Sequence, residues 1–336
     1  MKIAGRAMLA AIALMFATGP ALRAQDADYI LATASTGGTY YPVGVALATL
    51  VKVKLQPDHG IGMSAISSEG SAENIGLMRD GEAQFGILQG LYGYYAASGT
   101  GPLAAAGPQD NLRSVTMLWQ NVEHFVVSAD TAQTGTMADF VALRGQRVTL
   151  GAGDSGTLGS NAVLLEGLGV TIDTDYTLVF GGYGPAAEAL KDGEVKGIST
   201  PGGLPVGALS KLFASDGDDL RLLSFTDDER LAADGGRDLW TSFVIPAHTY
   251  AGQSEDVTTV AQPNFLAVTG DVSEEDVYQI TKAIFENLPF LQAIHPATQD
   301  ISLDTAIAGL PLALHPGALR YFKEAGVDVP DRLIAR

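Results

Sequence analysis

The first structural segment of the sequence is Tyr29-Ile-Leu-Ala-Thr-Ala34, followed by Ser35-Thr-Gly-Gly-Thr39. The first part is strand-like, and the glycine turn leads into an apolar-periodic stretch that predicts a helix to about residue 54. Pro42 falls in the first turn of that helix, where its missing N–H is tolerated. The segment therefore predicts a strand, a glycine-rich turn and a helix in succession.

The same arrangement returns in the second half of the chain. Arg147-Val-Thr-Leu150 runs into Gly151-Ala-Gly-Asp-Ser-Gly-Thr157, and a helix follows that ends at Gly169. Each unit is followed by a helix end, an Asp-Gly turn and a strand, with the turns at residues 80–81 and 192–193. Repetition in the same order predicts an α/β fold of two related lobes, each with a mostly parallel sheet flanked by helices.

Two crossings between the lobes follow from the order of the segments. Residues 113–128 predict the passage from the first lobe to the second, and residues 260–268 predict the return. After the return, Ser273 is expected to cap a helix whose apolar face continues through Leu288 and Leu291 and packs on the first lobe. We expect lobe 1 to comprise residues 25–122 and 262–336 and lobe 2 residues 123–261, with hinge strands and a ligand cleft between them.

The N-terminus has the pattern of an export signal. Two cations, Lys2 and Arg6, precede an apolar run, and small residues lie before a polar start at Gln25. We expect residues 1–24 to be a signal peptide and the mature chain to be periplasmic, without direct membrane insertion. The sequence has no cysteine, which excludes disulfides and thiolate chemistry.

The net charge indicates which partners the protein can attract. The formal charge is −18, and loss of residues 1–24 would remove three cations and no acid, giving −21. Such a chain repels nucleic acid and anionic lipid. Because no basic residue stands near the two glycine turns, an acidic ligand would have to be held by local dipoles. Backbone N–H groups at a helix start supply such dipoles.

Other chemistry fits the sequence less well. Gly151-x-Gly153-x-x-Gly156 matches a dinucleotide fingerprint, with Asp173 and Asp175 roughly 20 residues beyond. A diffusible cofactor is not expected in an exported protein, so an exported nucleotide-binding enzyme is the weaker alternative. The five histidines are scattered and predict no metal site. We expect neither a cofactor nor catalysis.

Five segments in order resemble the TAXI family of solute receptors for tripartite ATP-independent periplasmic (TRAP) transporters. They are Thr33 to Pro42, Ser71-x-x-Asn74 with residues 81–89, Leu150 to Thr157, Ile245 to Gln253 and Leu314 to Ala318. The resemblance implies a type II-like periplasmic binding fold. It also implies a set of ligand-binding residues: Gly38, Thr39, Tyr40, Ser71, Asn74 and Gln89 in lobe 1, and Ser155, Gly156, Thr157, Ser160 and Gly203 in lobe 2.

The resemblance further implies what the protein does. It implies capture of a small organic acid, such as glutamate, 2-oxoglutarate or a related dicarboxylate, by a monomer that delivers it to a TRAP membrane permease. Gly90 and the turn Thr200-Pro-Gly-Gly203 depart from the family pattern, so the ligand's identity is not inherited. A binding protein that serves a membrane sensor instead of a permease remains an alternative.

Overall fold

The computed structural model describes residues 26–335, and the predicted signal peptide, residues 1–24, lies outside this range. Two sheets organise the chain, as predicted. The strand bounds are β1 Ala27–Ala32, β2 Ile61–Ile66, β3 Phe85–Gln89, β4 Leu112–Val122, β5 Phe125–Ser128, β6 Arg147–Thr149, β7 Thr177–Leu178, β8 Gly197–Ser199, β9 Leu220–Leu222, β10 Thr241–Ile245 and β11 Val257–Thr269.

Helices flank both sheets. The α-helix bounds are α1 Tyr40–His59, α2 Ser71–Arg79, α3 Gly90–Ser98, α4 Met137–Val141, α5 Gly156–Gly167, α6 Ile172–Asp175, α7 Tyr183–Lys191, α8 Gly207–Asp216, α9 Asp227–Asp234, α10 Glu274–Glu286, α11 Leu288–Gln292 and α12 Pro316–Glu324. Among residues 26–335, no helix is both long and apolar enough to cross a membrane.

The first sheet has six strands, in the order β10-β11-β3-β1-β2, with β4 also paired to β11. Strands β1, β2 and β3 are parallel, as the strand, turn and helix pattern predicts. Strand β11 is antiparallel to β3, β4 and β10. The mixed sheet arises because β11 re-enters the first lobe after the chain has built the second.

The second sheet has five strands, in the order β7-β6-β8-β5-β9. Its strands β6, β7 and β8 are parallel, and β5 is antiparallel to both neighbours. Successive residues of β5 enter different apolar clusters, since Val126 packs with α7 and α8 while Val127 packs with α4 and α5. Alternation of this kind buries both faces of the sheet under helices.

Two long strands connect the sheets. Strand β4 leads through Glu123 and His124 into β5, and β11 runs from the second sheet's side back into the first sheet. The two strands pair from Val122–Ala261 to Leu112–Thr269. The crossings therefore lie side by side, as a hinge requires.

The C-terminal helices pack on the first sheet's cluster. Ile284, Leu291 and Phe322 are fully buried in the same core as Leu31 and Val43. The predicted cap is present, because the Ser273 hydroxyl accepts from Asp276 N. The prediction of one continuous apolar helix through Leu291 was wrong. Helix α10 ends at Glu286, and α11 starts anew with Pro289 in its first turn, where a proline disrupts a helix least.

Candidate functional site

A cleft of about 240 Å³ lies between the two sheets, at the carboxyl ends of β1 and β6. Pockets for drug-sized ligands are about 300 to 1,000 Å³, so this cleft suits a small organic molecule. The residues that line it are Ala34, Ser35, Gly38, Thr39, Tyr40, Ser68, Glu69, Gly70, Ser71, Gln89, Asn121, Ala152, Ser155, Gly156, Thr157, Gly181, Gly182, Tyr183 and Pro201.

Four helices start at this cleft. Helices α1 and α2 approach from the first sheet's side, and α5 and α7 approach from the second. The first two backbone N–H groups of each helix have no protein acceptor within residues 26–335. These groups belong to Tyr40 and Tyr41, Ser71 and Ala72, Gly156 and Thr157, and Tyr183 and Gly184.

The converging helix starts make the cleft electropositive. Each helix N-terminus carries roughly half a unit of positive charge. No lysine or arginine is among the described residues that line the cleft, and Glu69 is their single charged side chain. The Glu69 carboxylate lies at the rim, where its Oε2 accepts from the backbone N–H of Asp154 at 3.0 Å. Backbone dipoles are therefore the cleft's source of attraction for an anion.

Eight of the eleven residues predicted to bind ligand line the cleft. They are Gly38, Thr39, Tyr40, Ser71, Gln89, Ser155, Gly156 and Thr157. Some of their side chains are already bonded to protein groups. The Ser155 hydroxyl caps α5, since it accepts from Leu158 N and donates to Ala152 O. The Thr39 hydroxyl donates to Gly203 O at 2.9 Å.

The other three predicted residues lie behind the lining. Asn74 Nδ2 donates to the Thr33 and Ile87 carbonyls, which ties α2 to the ends of β1 and β3. The Ser160 hydroxyl donates to Gln89 Oε1. A Cβ at Gly203 would lie 2.6 Å from Trp119 Cδ1, so this glycine permits close packing behind the cleft. These positions stay predictions, and their contacts indicate an indirect role.

Tyr183 is a lining residue that the sequence reasoning missed. Its hydroxyl donates to Pro201 O at 2.7 Å and lies 2.7 Å from Thr157 Oγ1. Because the phenol has one hydrogen, Thr157 must be the donor in the second bond, and its own hydroxyl hydrogen is thereby used. A Cβ at Gly38 would approach the Tyr183 ring to 3.2 Å. The glycine-rich approach to α7, Gly181-Gly182, was the available signal.

Asn121 is the second missed residue, and it comes from the crossing strand β4. Its Nδ2 is buried and has no hydrogen-bond partner. Its Oδ1 accepts from Asn264 Nδ2 at 3.2 Å, and Asn264 Oδ1 accepts from the Tyr40 hydroxyl. A buried amide nitrogen without a partner is costly, so its position at the cleft floor indicates a group that a ligand would satisfy.

Glu123, two residues further along, lies behind the same floor. It is 1% exposed, and neither carboxylate oxygen makes a hydrogen bond. Burial raises the pKa of Glu123 to about 8, and the nearby Trp240 indole and Gln262 amide oppose the rise only in part. The carboxyl is therefore neutral at pH 7. A neutral Glu123 adds no negative charge beneath an anion site.

The lobes meet at the mouth of the cleft. Glu73 N donates to Asp154 O at 3.2 Å, beside the Glu69 contact already described. At the centre, a Cβ added to Gly156 would lie 2.7 Å from Gln89 Oε1 and 2.8 Å from Ser71 Oγ. The start of α5 thus approaches the first lobe so closely that only glycine fits. The structure has the geometry of a closed cleft.

The two sheets, the paired crossings and the cleft between them have the two-lobed fold of the periplasmic binding proteins. The chain belongs to the NMT1-like family, whose model matches residues 31–326. The expectation of a binding protein, and not an enzyme, agrees with this family. The finer resemblance to TAXI receptors is not decided by this match.

Two solved structures show the same fold at low identity, and a third is a more distant match. A protein of Bordetella bronchiseptica RB50 is 15% identical, covers 91% of each chain and has a TM-score of 0.52. The binding component of an ABC phosphonate transporter from Pseudomonas aeruginosa is 7% identical, with 82% of this chain and 80% of that one covered and a TM-score of 0.52. The alkanesulfonate-binding protein SsuA from Xanthomonas axonopodis pv. citri, bound to MOPS, is 14% identical, with 90% and 92% covered and a TM-score of 0.46.

Proposed function

We propose that this protein is a periplasmic receptor that captures a small organic acid, such as glutamate, 2-oxoglutarate or a related dicarboxylate. The observation that carries the proposal is the convergence of four helix starts, each with free N–H donors, on a cleft lined by no lysine or arginine among the described residues. Desolvated N–H donors favour a carboxylate, as at other helix N-termini. Asn121 Nδ2 adds a buried side-chain donor.

Binding and closure are one event in this proposal. Helices α1 and α2 belong to one lobe and α5 and α7 to the other, so an acid touches donors from both only when the cleft is closed. A ligand shifts an equilibrium by its difference in affinity for the two states. The acid therefore favours the closed state, and the paired strands β4 and β11 are the hinge. In this proposal lobe 1 comprises residues 25–122 and 262–336 and lobe 2 residues 123–261.

The transport role is the finer part of the proposal. Residues 1–24 act as the export signal, and the receptor, a monomer, delivers its ligand to a TRAP-type permease. The resemblance of the five ordered segments supports this partner. This partner can be tested by reconstituting the permease from the same genome into vesicles and measuring transport. Uptake of labelled acid should require the receptor and an ion gradient and proceed without ATP. Uptake that requires ATP would contradict it.

A thermal-shift screen tests the binding role. The protein is unfolded and refolded to remove carried-over ligand and then mixed with organic acids, amino acids, sulfonates and phosphonates. A ligand at 100 times its Kd stabilises the fold by about 2.7 kcal/mol. We expect carboxylic acids to raise the melting temperature. If sulfonates or phosphonates alone raise the melting temperature, the ligand is one of these anions and not a carboxylic acid. If no anion raises the melting temperature, the proposal is overturned.

A further inference from the structure

A chain of hydrogen bonds behind the cleft has a direction that can be worked out from one end. It begins at the backbone N–H of Leu91, which donates to Gln262 Oε1 at 2.9 Å. A backbone N–H can only donate, so this bond fixes which end of the Gln262 amide is the oxygen. Gln262 Nε2 then donates to Ser160 Oγ at 3.0 Å.

The direction passes through Ser160 to the cleft. The oxygen of Ser160 accepts from Gln262, and its one hydrogen needs an acceptor of its own. Among residues 26–335 that acceptor is Gln89 Oε1, at 2.9 Å, so Ser160 donates to Gln89. This leaves Gln89 Nε2 as the free end of the amide. Gln89 lines the cleft, and its Nε2 has no protein acceptor among residues 26–335.

Ser71 lies next to Gln89 in the lining. Its oxygen accepts from the backbone N–H of Gln89 at 3.0 Å, and its hydroxyl also lies beside the Tyr40 hydroxyl, to which it can donate. Ser71 and Gln89 lie side by side in the lining, opposite Gly156. The deep end of the cleft thus presents the Gln89 N–H₂ group as a side-chain hydrogen-bond donor.

We infer that the Gln262–Ser160–Gln89 relay makes this end of the cleft specific for a hydrogen-bond acceptor, and that Ser160 and Gln262 are positioning residues that act through Gln89. The ligand group seated there is an ionised carboxylate and not a carboxamide or an ammonium group. The inference rests on the proposed function and deepens it. The relay also joins the lobes, since Ser160 lies on α5 and Gln89 ends β3. Closure therefore sets the polarity.

The test compares one acid with its half-amide. Glutarate and glutaramate are titrated by calorimetry at pH 7 into ligand-free wild type, Gln89→Glu, Ser160→Ala and the control Gln146→Glu. Gln146 is exposed, so its variant carries the same amide-to-acid change away from the cleft. Unfolding curves of the ligand-free variants confirm that each one folds.

The relay predicts a pattern of selectivity, not only a loss of affinity. Wild type and Gln146→Glu should prefer glutarate by roughly tenfold or more, because an amide N–H₂ would face donors and leave them unpaired. Gln89→Glu should reverse the preference. Ser160→Ala should bring the two affinities within about threefold, because the Gln89 amide can then turn over. A general loss of structure would weaken both ligands equally and leave their ratio unchanged.

Two outcomes overturn different claims. If wild type binds glutarate but Ser160→Ala keeps the full preference, or Gln89→Glu still prefers the acid, the relay does not set specificity and the inference fails while the receptor role stands. If wild type binds neither of these two probes nor any acid in the thermal-shift screen, the proposed function fails, and the inference fails with it.

Discussion

Replacing Glu123 by glutamine tests whether a buried, neutral carboxyl lies at the hinge. Burial raises the pKa of this group from its ordinary value of 4.5 to about 8. Between these values the folded protein holds a proton that the unfolded chain has released. The free energy of unfolding must then fall as pH rises, by up to about 1.4 kcal/mol per unit. Below pH 4.5 both states are protonated, and above pH 8 the loss is complete.

The size of the effect follows from these two pKa values. Between pH 5 and pH 8 the carboxyl lowers the stability of wild type by about 3 to 4 kcal/mol. Glu123→Gln has nearly the same shape and does not titrate. The stability gap in favour of the variant should therefore widen by that amount over this pH interval. Comparing the gap at two pH values cancels the other titrating groups, which both proteins share.

Urea unfolding at pH 5 and pH 8 measures the gap. Glu194→Gln is the matched control, because Glu194 is exposed and the substitution removes the same charge. Its gap from wild type should stay within about 0.5 kcal/mol at both pH values. A Glu123→Gln gap that does not change with pH would show that the carboxyl is not held neutral by burial. The carboxyl would then be ionised in the fold and paired with a group at the crossing.

Three further predictions concern the start of α5, the Tyr183 hydroxyl and a carboxyl of the second lobe. Gly156→Ala places a methyl against Ser71 and should weaken acid binding roughly tenfold or more by calorimetry, whereas Gly153→Ala, with open space around it, should not. Tyr183→Phe leaves a carbonyl without its donor and should cost about 1 kcal/mol of affinity, roughly fivefold. Burial opposes ionisation of Asp139, but backbone N–H donors outweigh it and lower its pKa, so Asp139→Asn should cost about 1 to 3 kcal/mol at pH 7. In urea unfolding, the cost of Asp139→Asn should shrink as pH falls through the carboxyl's pKa, and a cost independent of pH would contradict this prediction. Equal losses of affinity in Gly156→Ala and Gly153→Ala would contradict the first prediction, and unchanged affinity in Tyr183→Phe would contradict the second.

The sequence predicted the parts of the fold that depend on local pattern. Both strand, glycine turn and helix units were found, because the turn residues and the helical apolar stripe lie within short segments. The first helix extends beyond the predicted end near residue 54 to His59, where Gly60 takes the left-handed conformation that ends it. The break at Asn287 was missed because the apolar spacing continues across it.

The lining of the candidate site was predictable where it follows directly from a glycine turn. Gly38, Thr39, Gly156 and Thr157 line the cleft as their positions at helix starts imply. Asn121 could not be found in the same way, because it lies within a strand of mixed character. Its role depends on pairing with a strand more than 140 residues away. Long-range contacts of this kind leave no local periodicity in the sequence.

The direction of the Gln262–Ser160–Gln89 relay was also beyond the sequence. It depends on the Leu91 N–H pointing at Gln262, and these residues are 171 positions apart. The sequence also could not show which acceptor each hydroxyl hydrogen is bonded to. Thr157 was predicted as a ligand residue, but its hydroxyl hydrogen serves Tyr183, which leaves its backbone N–H for the ligand.

A crystal structure of the protein with the acid that gives the largest thermal shift would show whether both lobes hold the ligand. We expect one carboxylate within hydrogen-bond distance of Gly156 or Thr157 N–H at the start of α5. At the same time the acid should contact donors of the first lobe, at Gln89, Ser71 or the start of α1. An acid held by one lobe alone, or paired chiefly with a lysine or arginine, would contradict this expectation.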